Sequence, residues 1–367
     1  MRSAIMIAAV LAMGAASAAK AAQPALPAPK SVYRLAETVP FKGKVPGWDY
    51  VTFEAKTGRL FIGRRANGVT VYDTRAGKVL KTIARSELAN GAVLVSEFDR
   101  GYTANGDGTV TIFRLSDLTT LDRIKLGDSA DAAYYDPASK RVIITRGDDH
   151  RLTFIDAKSG LPTGDLVMQA DELEGVAVDG RGGVFVSERD KTKIAKVDPV
   201  GRTVLAEWGI GGDCLLPTGV SIDPDSQRLF LGCKGDHPVL AVVDSANGHT
   251  VASVPIGRGN DGVVFDPVHK RVLTSNGVDG NIVIVDQLGP DSYRLEQAVT
   301  TRPIARTMAY DRTTGTIYTV AAEGLVDPSR PVNTRAGTFY PNAFYDDSFR
   351  LFVFKPVPYK PAAPAED

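Results

Sequence analysis

The sequence predicts an all-β fold: a seven-bladed β-propeller of four-stranded antiparallel blades, its ring closed by the N-terminal strand joining the C-terminal blade. Three observations carry that reading. A unit of three short alternating strands and a weaker fourth recurs about every 42 residues, the spacing of a propeller blade. An acidic first turn stands at the matching place in six units, as Asp-Pro in three of them, and Gly-rich turns separate other strands. The last unit lacks an outer strand, and an unmatched strand of the right kind stands at the other end of the chain.

The clearest copy runs from Asp261 to Asp286, with strands at Val263–Phe265, Arg271–Ser275 and Asn281–Val285, and Tyr293–Val299 outside them. The first copy, Asp49–Asp73, alternates apolar and polar residues as half-buried strands do, with Lys78–Ile83 outside. The second spans Ala92–Phe113 and has an irregular first turn, Ser96–Arg100. The third runs from Asp131 to Asp156, and Leu161-Pro-Thr-Gly164 interrupts its outer strand. Copies four and five open at Glu174 and Thr218 and end in outer strands Thr203–Trp208 and Thr250–Ile256. The seventh starts at Arg306, but a long stretch, Glu323–Ser348, intervenes before its third strand, Arg350–Lys355. Hairpin loops need only about 2–5 residues. Tyr33–Glu37 matches the outer strand at Tyr293–Glu296 and supplies the missing fourth strand. A closed ring removes the long exposed edges that invite aggregation.

Residues 31–355 therefore form one propeller domain. Residues 1–22 read as a signal peptide, with basic Arg2, an apolar run and small residues at Ala16–Ala21. Residues 23–30 read as a linker and the Pro/Ala-rich residues 356–367 as a disordered tail. These segments place the protein in the periplasm or outside the cell, as a monomer with no membrane span. The 367 residues hold 43 Lys+Arg and 43 Asp+Glu, so no global field draws in nucleic acid. No Gly-x-Ser-x-Gly elbow, phosphate loop, dinucleotide fingerprint or haem motif is present.

The repeats lack the Gly-His and Trp-Asp dipeptides of WD40 blades. In Thr103-Ala-Asn-Gly-Asp-Gly-Thr-Val-Thr-Ile-Phe113 and Leu273–Asp286 the chain resembles the YVTN/YncE-like family of exported bacterial propellers, over about residues 31–355. That resemblance implies the fold and the export; its motif is structural and implies no reaction.

Candidate chemistry follows from register. Counting back from the first-turn residues Glu54, Asp136, Asp179, Asp223, Asp266 and Asp311 places Asp49, Asp131, Glu174, Thr218, Asp261 and Arg306 at the channel mouth, with Asn90 or Gly91 in the irregular blade. Carboxylates at Asp49, Asp131, Glu174 and Asp261 would suit Ca²⁺ or Mg²⁺, which take oxygen ligands. The same side chains also serve to accept backbone N–H groups, or to pair with Arg306. The loops on this face carry Arg64, Arg65, Asn105, His150, Arg189, Lys234, His237 and Asn276, with no paired-histidine spacing. Cys214 and Cys233 flank the fifth blade on the same face and read as a disulfide in an exported protein. Two buried thiols, or a thiolate site completed by His237, are the alternatives. The 323–348 stretch, with Tyr340 and Phe344, is too aromatic for an ordinary linker. It serves either as a lid over the mouth, joined by Trp48 and Trp208, or as a flap over the closure seam.

Together these features predict a non-catalytic propeller that binds a small ligand or a protein through Asp49, Asp131, Glu174, Asp261 and Arg306, with Trp48, Tyr340 and Phe344 as apolar contacts. The alternative is a metal-assisted hydrolase or lyase using a cation in the acidic mouth.

Overall fold

The computed structural model describes residues 32–329, 333–334, 337–338 and 341–357. The expected leader, the linker before Val32, the tail after Val357 and Tyr340 lie outside the described residues.

Seven four-stranded antiparallel sheets form the ring. Blade 1 comprises Val51–Glu54, Arg59–Gly63, Val69–Asp73 and Lys78–Thr82, and blade 2 Ala89–Val95, Arg100–Asn105, Thr109–Arg114 and Thr120–Lys125. Blade 3 is Ala132–Asp136, Arg141–Arg146, Arg151–Asp156 and Pro162–Val167; blade 4 is Leu173–Val178, Val184–Glu188, Lys193–Asp198 and Thr203–Gly209. Blade 5 is Leu215–Asp223, Arg228–Lys234, Val239–Asp244 and Thr250–Pro255, and blade 6 Asn260–Asp266, Arg271–Asn276, Asn281–Gly289 and Ser292–Thr300. Blade 7 takes Met308–Asp311, Thr316–Ala321 and Arg350–Val357 from the C-terminal part and Val32–Pro40 from the N-terminal part, in the sheet order the sequence predicts. The closing strands pair from Val32 with Val357 to Pro40 with Arg350, so the seam extends two residues past Lys355.

Blade 2 differs from expectation. Its inner strand begins at Ala89 rather than Ala92, and the irregular turn at Ser96–Phe98 is a short 3₁₀ segment ending on Asp99 in the left-handed region. That segment breaks the two-residue alternation and hides the strand's start from a pattern search. In every blade the outer pair of strands carries a register shift, from Val71/Tyr72 in blade 1 to Leu35/Glu37 in blade 7. Such bulges add local right-handed twist, and twisted blades pack face to face round a ring.

Burial lies between blades. Phe53 stacks on Tyr318 across blades 1 and 7, Phe61 on Phe113 across blades 1 and 2, and Phe230 on Phe265 across blades 5 and 6, at centroid distances of 5.1, 5.8 and 5.2 Å. Val263, Phe265, Val283 and Val285, expected as inter-blade residues, sit in one cluster with Phe230, Leu240 and Val242. Near the axis the backbone is crowded by the next inner strand or by the blade's own second strand, which explains the glycine after two mouth carboxylates. A Cβ on Gly175 would fall 2.4 Å from the Thr218 carbonyl oxygen, and one on Gly262 2.6 Å from Ser275 Oγ. The lower-turn aspartates cap their own turns: Asp266 accepts the Val268 N–H at 2.9 Å and Asp311 the Thr313 N–H at 2.9 Å, as short acidic side chains do.

Cys214 and Cys233 form a disulfide, both cysteines buried, with Cα atoms 5.1 Å apart. His237 lies on an exposed turn, and the thiolate alternatives fall away. The bridge ties the start of blade 5 to the strand end that carries Lys234. A Cys214→Ser/Cys233→Ser variant should lose about 3 kcal/mol of unfolding free energy, the cost expected for opening a loop of this size. Urea titration checks it, and the native protein under strong reductant should shift to the same midpoint. Among the described residues no helix is long and apolar enough to cross a membrane.

Candidate functional site

The inner-strand register brings Asp49, Asp131, Glu174, Asp261 and Arg306 to one cavity of about 960 Å³ at the channel mouth. Trp48 and Phe344 are in its wall, with Leu88, Leu173 and Ile304. Thr218, in the same register, is instead buried and donates its hydroxyl to the Leu216 carbonyl at 3.0 Å. Seven carboxylates line the cavity (Asp49, Asp131, Asp148, Asp171, Glu172, Glu174 and Asp261), against four cations: Arg65, Arg189, Lys234 and Arg306.

These charges form an alternating chain. Lys234 Nζ donates to Asp261 Oδ1 at 2.7 Å, and Arg306 Nε stands 3.2 Å from Asp261 Oδ2. Arg306 Nη2 reaches Asp49 Oδ2 at 3.0 Å, and the same oxygen takes Arg65 Nη2 at 2.5 Å. Arg65 then donates to Asn90 Oδ1, and Asn90 Nδ2 donates to Asp131 Oδ1 at 3.0 Å. On the other side Arg189 holds Glu174 and, at 2.6 Å, Glu172. The chain breaks between Asp131 and Glu174, where no cation bridges the two carboxylates among the described residues.

The break has an electrostatic signature. Burial and the nearby Asp49 charge push the Asp131 carboxyl up to about 6, against the pull of Arg65 and Arg306. Burial and then Asp131 push Glu174 upward, opposed by Arg189 and Lys234. Asp261 goes the other way: burial would raise it, but Lys234, then Arg306, hold it below the usual carboxylate range. A raised carboxyl binds a proton more tightly in the folded state, so its contribution weakens stability as pH climbs from the unfolded value, near 4, through the folded one. Asp131→Asn should therefore flatten the fall in stability between pH 4 and 6 by about 2 kcal/mol. Thermal melts across that range give the check, and an unchanged slope counts against the assignment.

Tyr50 forms part of the wall and is shared with a second, apolar cavity of about 540 Å³ further along the channel, walled by residues such as Val93, Leu94, Val220 and Met308. Tyr134 lines the same apolar cavity. Burial raises both phenols, so both stay neutral.

The four ring carboxylates do not enclose a Ca²⁺ or Mg²⁺ shell. Asp49 and Asp261 already hold ammonium and guanidinium groups, and among the described residues no three His, Cys, Asp or Glu side chains group to hold a metal ion. His150 sits away from any such group, half exposed, with Nδ1 3.1 Å from the Ala170 carbonyl.

Of the 323–348 stretch, Gly324–Leu325 pairs with Ala343–Phe344, and Pro341, Asn342 and Phe344 line the cavity. Phe344 lies 4.6 Å from Trp48, which also meets Phe349 at 5.3 Å, next to the closure strand. One segment thus borders both the mouth and the seam, the two places the sequence proposed as alternatives. Trp208 is elsewhere, packed in the blade 4–5 cluster with Ile210 and Val239.

Sequence reasoning placed Arg65, Arg189 and Lys234 on this face without pairing them, and missed Glu172. Each of the three cations stands just after, or at the end of, its blade's second strand. A register for that position, laid beside the inner-strand register, is the signal that pairs them. Arg64, by contrast, turns inward, with its guanidinium 4.7 Å from the Phe349 ring centroid.

No protein-family model and no curated protein matches the chain. Solved structures do. A chain from "Crystal Structure of Mitotic Checkpoint Complex" aligns with a TM-score of 0.69 at 13% identity, covering 95% of this chain and 98% of the other. One from "Kuenenia stuttgartiensis Hydrazine Synthase" aligns with a TM-score of 0.64 at 15% identity, covering 76% and 94%. At such identities the likeness speaks for the fold, and it agrees with the seven blades seen here: the chain is a β-propeller.

Proposed function

We propose that the protein is an exported, non-catalytic propeller that captures a small polar ligand in the channel-mouth cavity. The observation that carries this is the open end of the charge chain at Asp131 and Glu174 inside a cavity of ligand size; small-molecule sites commonly enclose about 300–1,000 Å³. Asp49, Asp261 and Arg306, with Arg65 and Lys234, serve as a fixed, ion-paired frame. Trp48 and Phe344 provide the apolar wall, and the sequence suggests Tyr340 as a further contact. The repeat resemblance to YVTN/YncE-like propellers, the sequence of residues 1–22 and the disulfide support export to an oxidising compartment.

A metal-assisted hydrolase is a weaker reading, because three of the four carboxylates it needs, Asp49, Asp261 and Glu174, are engaged by Arg65, Arg306, Lys234 and Arg189. Catalysis by this ring would first have to break those pairs.

A thermal-shift screen of small polar compounds of all charge types tests the proposal. A ligand at about a hundred times its Kd adds about 2.7 kcal/mol of stability. At least one compound should stabilise the native protein and lose its effect in Phe344→Ala or Glu174→Gln. If every stabilising compound acts equally on both variants, the mouth is not the site.

A further inference from the structure

We propose that the gap between Asp131 and Glu174 seats an organic ammonium group, so that the ligand is a primary amine with an apolar or aromatic body. This rests on the ligand-binding reading above and narrows it to one chemical class.

Two features of the cavity, its charge order and the material of its wall, converge on that class, and another describes the packing of that wall. The first is charge order. Along the mouth each cation touches at least one carboxylate, at distances of 3.2 Å or less. An anionic ligand would find no unpaired cation among the described lining residues and would have to displace an existing partner. A cationic ligand meets the opposite situation: the chain is short of one positive group where Asp131 and Glu174 face each other, and Asp148 and Asp171 add exposed negative charge on the same side of the rim.

The second is an unpaired donor in the wall. The Trp48 indole N–H is buried, 4% of the residue being exposed, and has no hydrogen-bond partner. Ser129 Oγ, in the wall near Asp131, is likewise buried without one. Buried polar atoms are rarely left unpaired in folded proteins, and both residues line the cavity. Both atoms are closed off from the cavity space itself, so they describe the packing of the wall and not a contact to the ammonium.

The third is the material of the remaining wall. Trp48, Phe344, Ile304 and Leu88 give an amine's hydrocarbon part a place to lie, and aromatic faces attract ammonium groups. A bare metal ion would make no use of this wall, and the carboxylates are not gathered into a shell for one. The raised Asp131 carboxyl adds a thermodynamic consequence. An ammonium seated beside it favours the charged carboxylate, so any proton held there leaves on binding.

Isothermal titration of the exported protein tests this with phenethylamine and putrescine as amines, phenylacetate as the matched anion and CaCl₂ as the bare cation. At least one amine should bind, with affinity rising from pH 5 to pH 7.5 and protons released on binding from the raised Asp131 and Glu174 carboxyls, seen as heats that depend on the buffer. Asp131→Asn and Glu174→Gln should each weaken it tenfold or more while keeping the native circular dichroism spectrum. The proposal is overturned if amine affinity is unchanged in both variants, or if phenylacetate binds in the mouth and neither amine does. In that last case, anionic binding lost in Phe344→Ala leaves the ligand-capture reading standing and removes only the amine. Absence of binding by compounds of every charge removes both.

Discussion

A chain beginning at Phe41 is expected to lose its cooperative monomeric fold. The deleted segment, Val32–Pro40, is the fourth strand of blade 7 and pairs along its length with Arg350–Val357. Tyr33 is buried in the largest cluster, and its N–H donates at 2.9 Å to Gln297 of blade 6. Burial of a large side chain is worth about 1.5–3 kcal/mol, and each net hydrogen bond about 0.5–1.5 kcal/mol. The strand as a whole therefore contributes about 5–10 kcal/mol, comparable with the total stability of many domains. Its loss also leaves Arg350–Val357 as an open edge, a template for aggregation. Size-exclusion chromatography and urea titration should show oligomers and a collapsed transition. A synthetic peptide of residues 32–40 added in trans should restore the monomer. A truncated protein that stays monomeric and melts within about 1 kcal/mol of the parent would show that the seam does not hold the ring.

Arg306→Met should cost about 3 kcal/mol at neutral pH, within the range seen when one member of a buried ion pair is removed. The arginine joins Asp49 of blade 1 to Asp261 of blade 6 and also donates to the Trp48 carbonyl at 3.4 Å. The methionine keeps most of the volume and leaves Asp49 with Arg65 and Asp261 with Lys234, which is why the loss is not larger. The sign with pH follows from Asp261, whose carboxyl is held low in the folded protein. Stability from that carboxylate is present above the unfolded value, near 4, and is lost as pH falls through the folded one. The deficit of the variant should therefore shrink below about pH 4. Paired denaturant titrations at pH 7 and pH 3.5 separate this from a packing defect, whose cost would be the same at both.

How much of this was legible in the sequence depended on what repeats. Strand alternation recurs in each unit and an acidic turn residue in six of the seven, so blade number, seam and inner register could be read from Glu54, Asp136, Asp266 and their equivalents. Counting five residues back from those turns located Asp49, Asp131, Glu174, Asp261 and Arg306 without any knowledge of their contacts. The contacts themselves cross from blade to blade. Lys234 meets Asp261 across 27 residues, and Arg306 meets Asp49 across 257. No single repeat encodes that offset, since it depends on how far each upper loop leans over its neighbour. Blade 2 was misjudged for a local reason: the 3₁₀ turn at Ser96–Phe98 replaces the usual Asp-based turn and removes the marker from which to count. The cysteine pair was readable because its members bracket one strand pair, whereas the stretch at 323–348 has no period and showed only its composition.

The pairing of Val32 with Val357 has a mechanical consequence. Antiparallel ladder bonds lie across the strands, and here the two strands enter the sheet from the same end. A force applied between the segments flanking Val32 and Val357 would load the outermost bonds first and open the seam one pair at a time, like a zip. The same force applied between Val32 and Arg350 would stretch all the pairs together. The closed ring can therefore still be opened by a weak pull on the segments flanking Val32 and Val357, with the bulge at Leu35/Glu37 as the first point where the peeling changes pace.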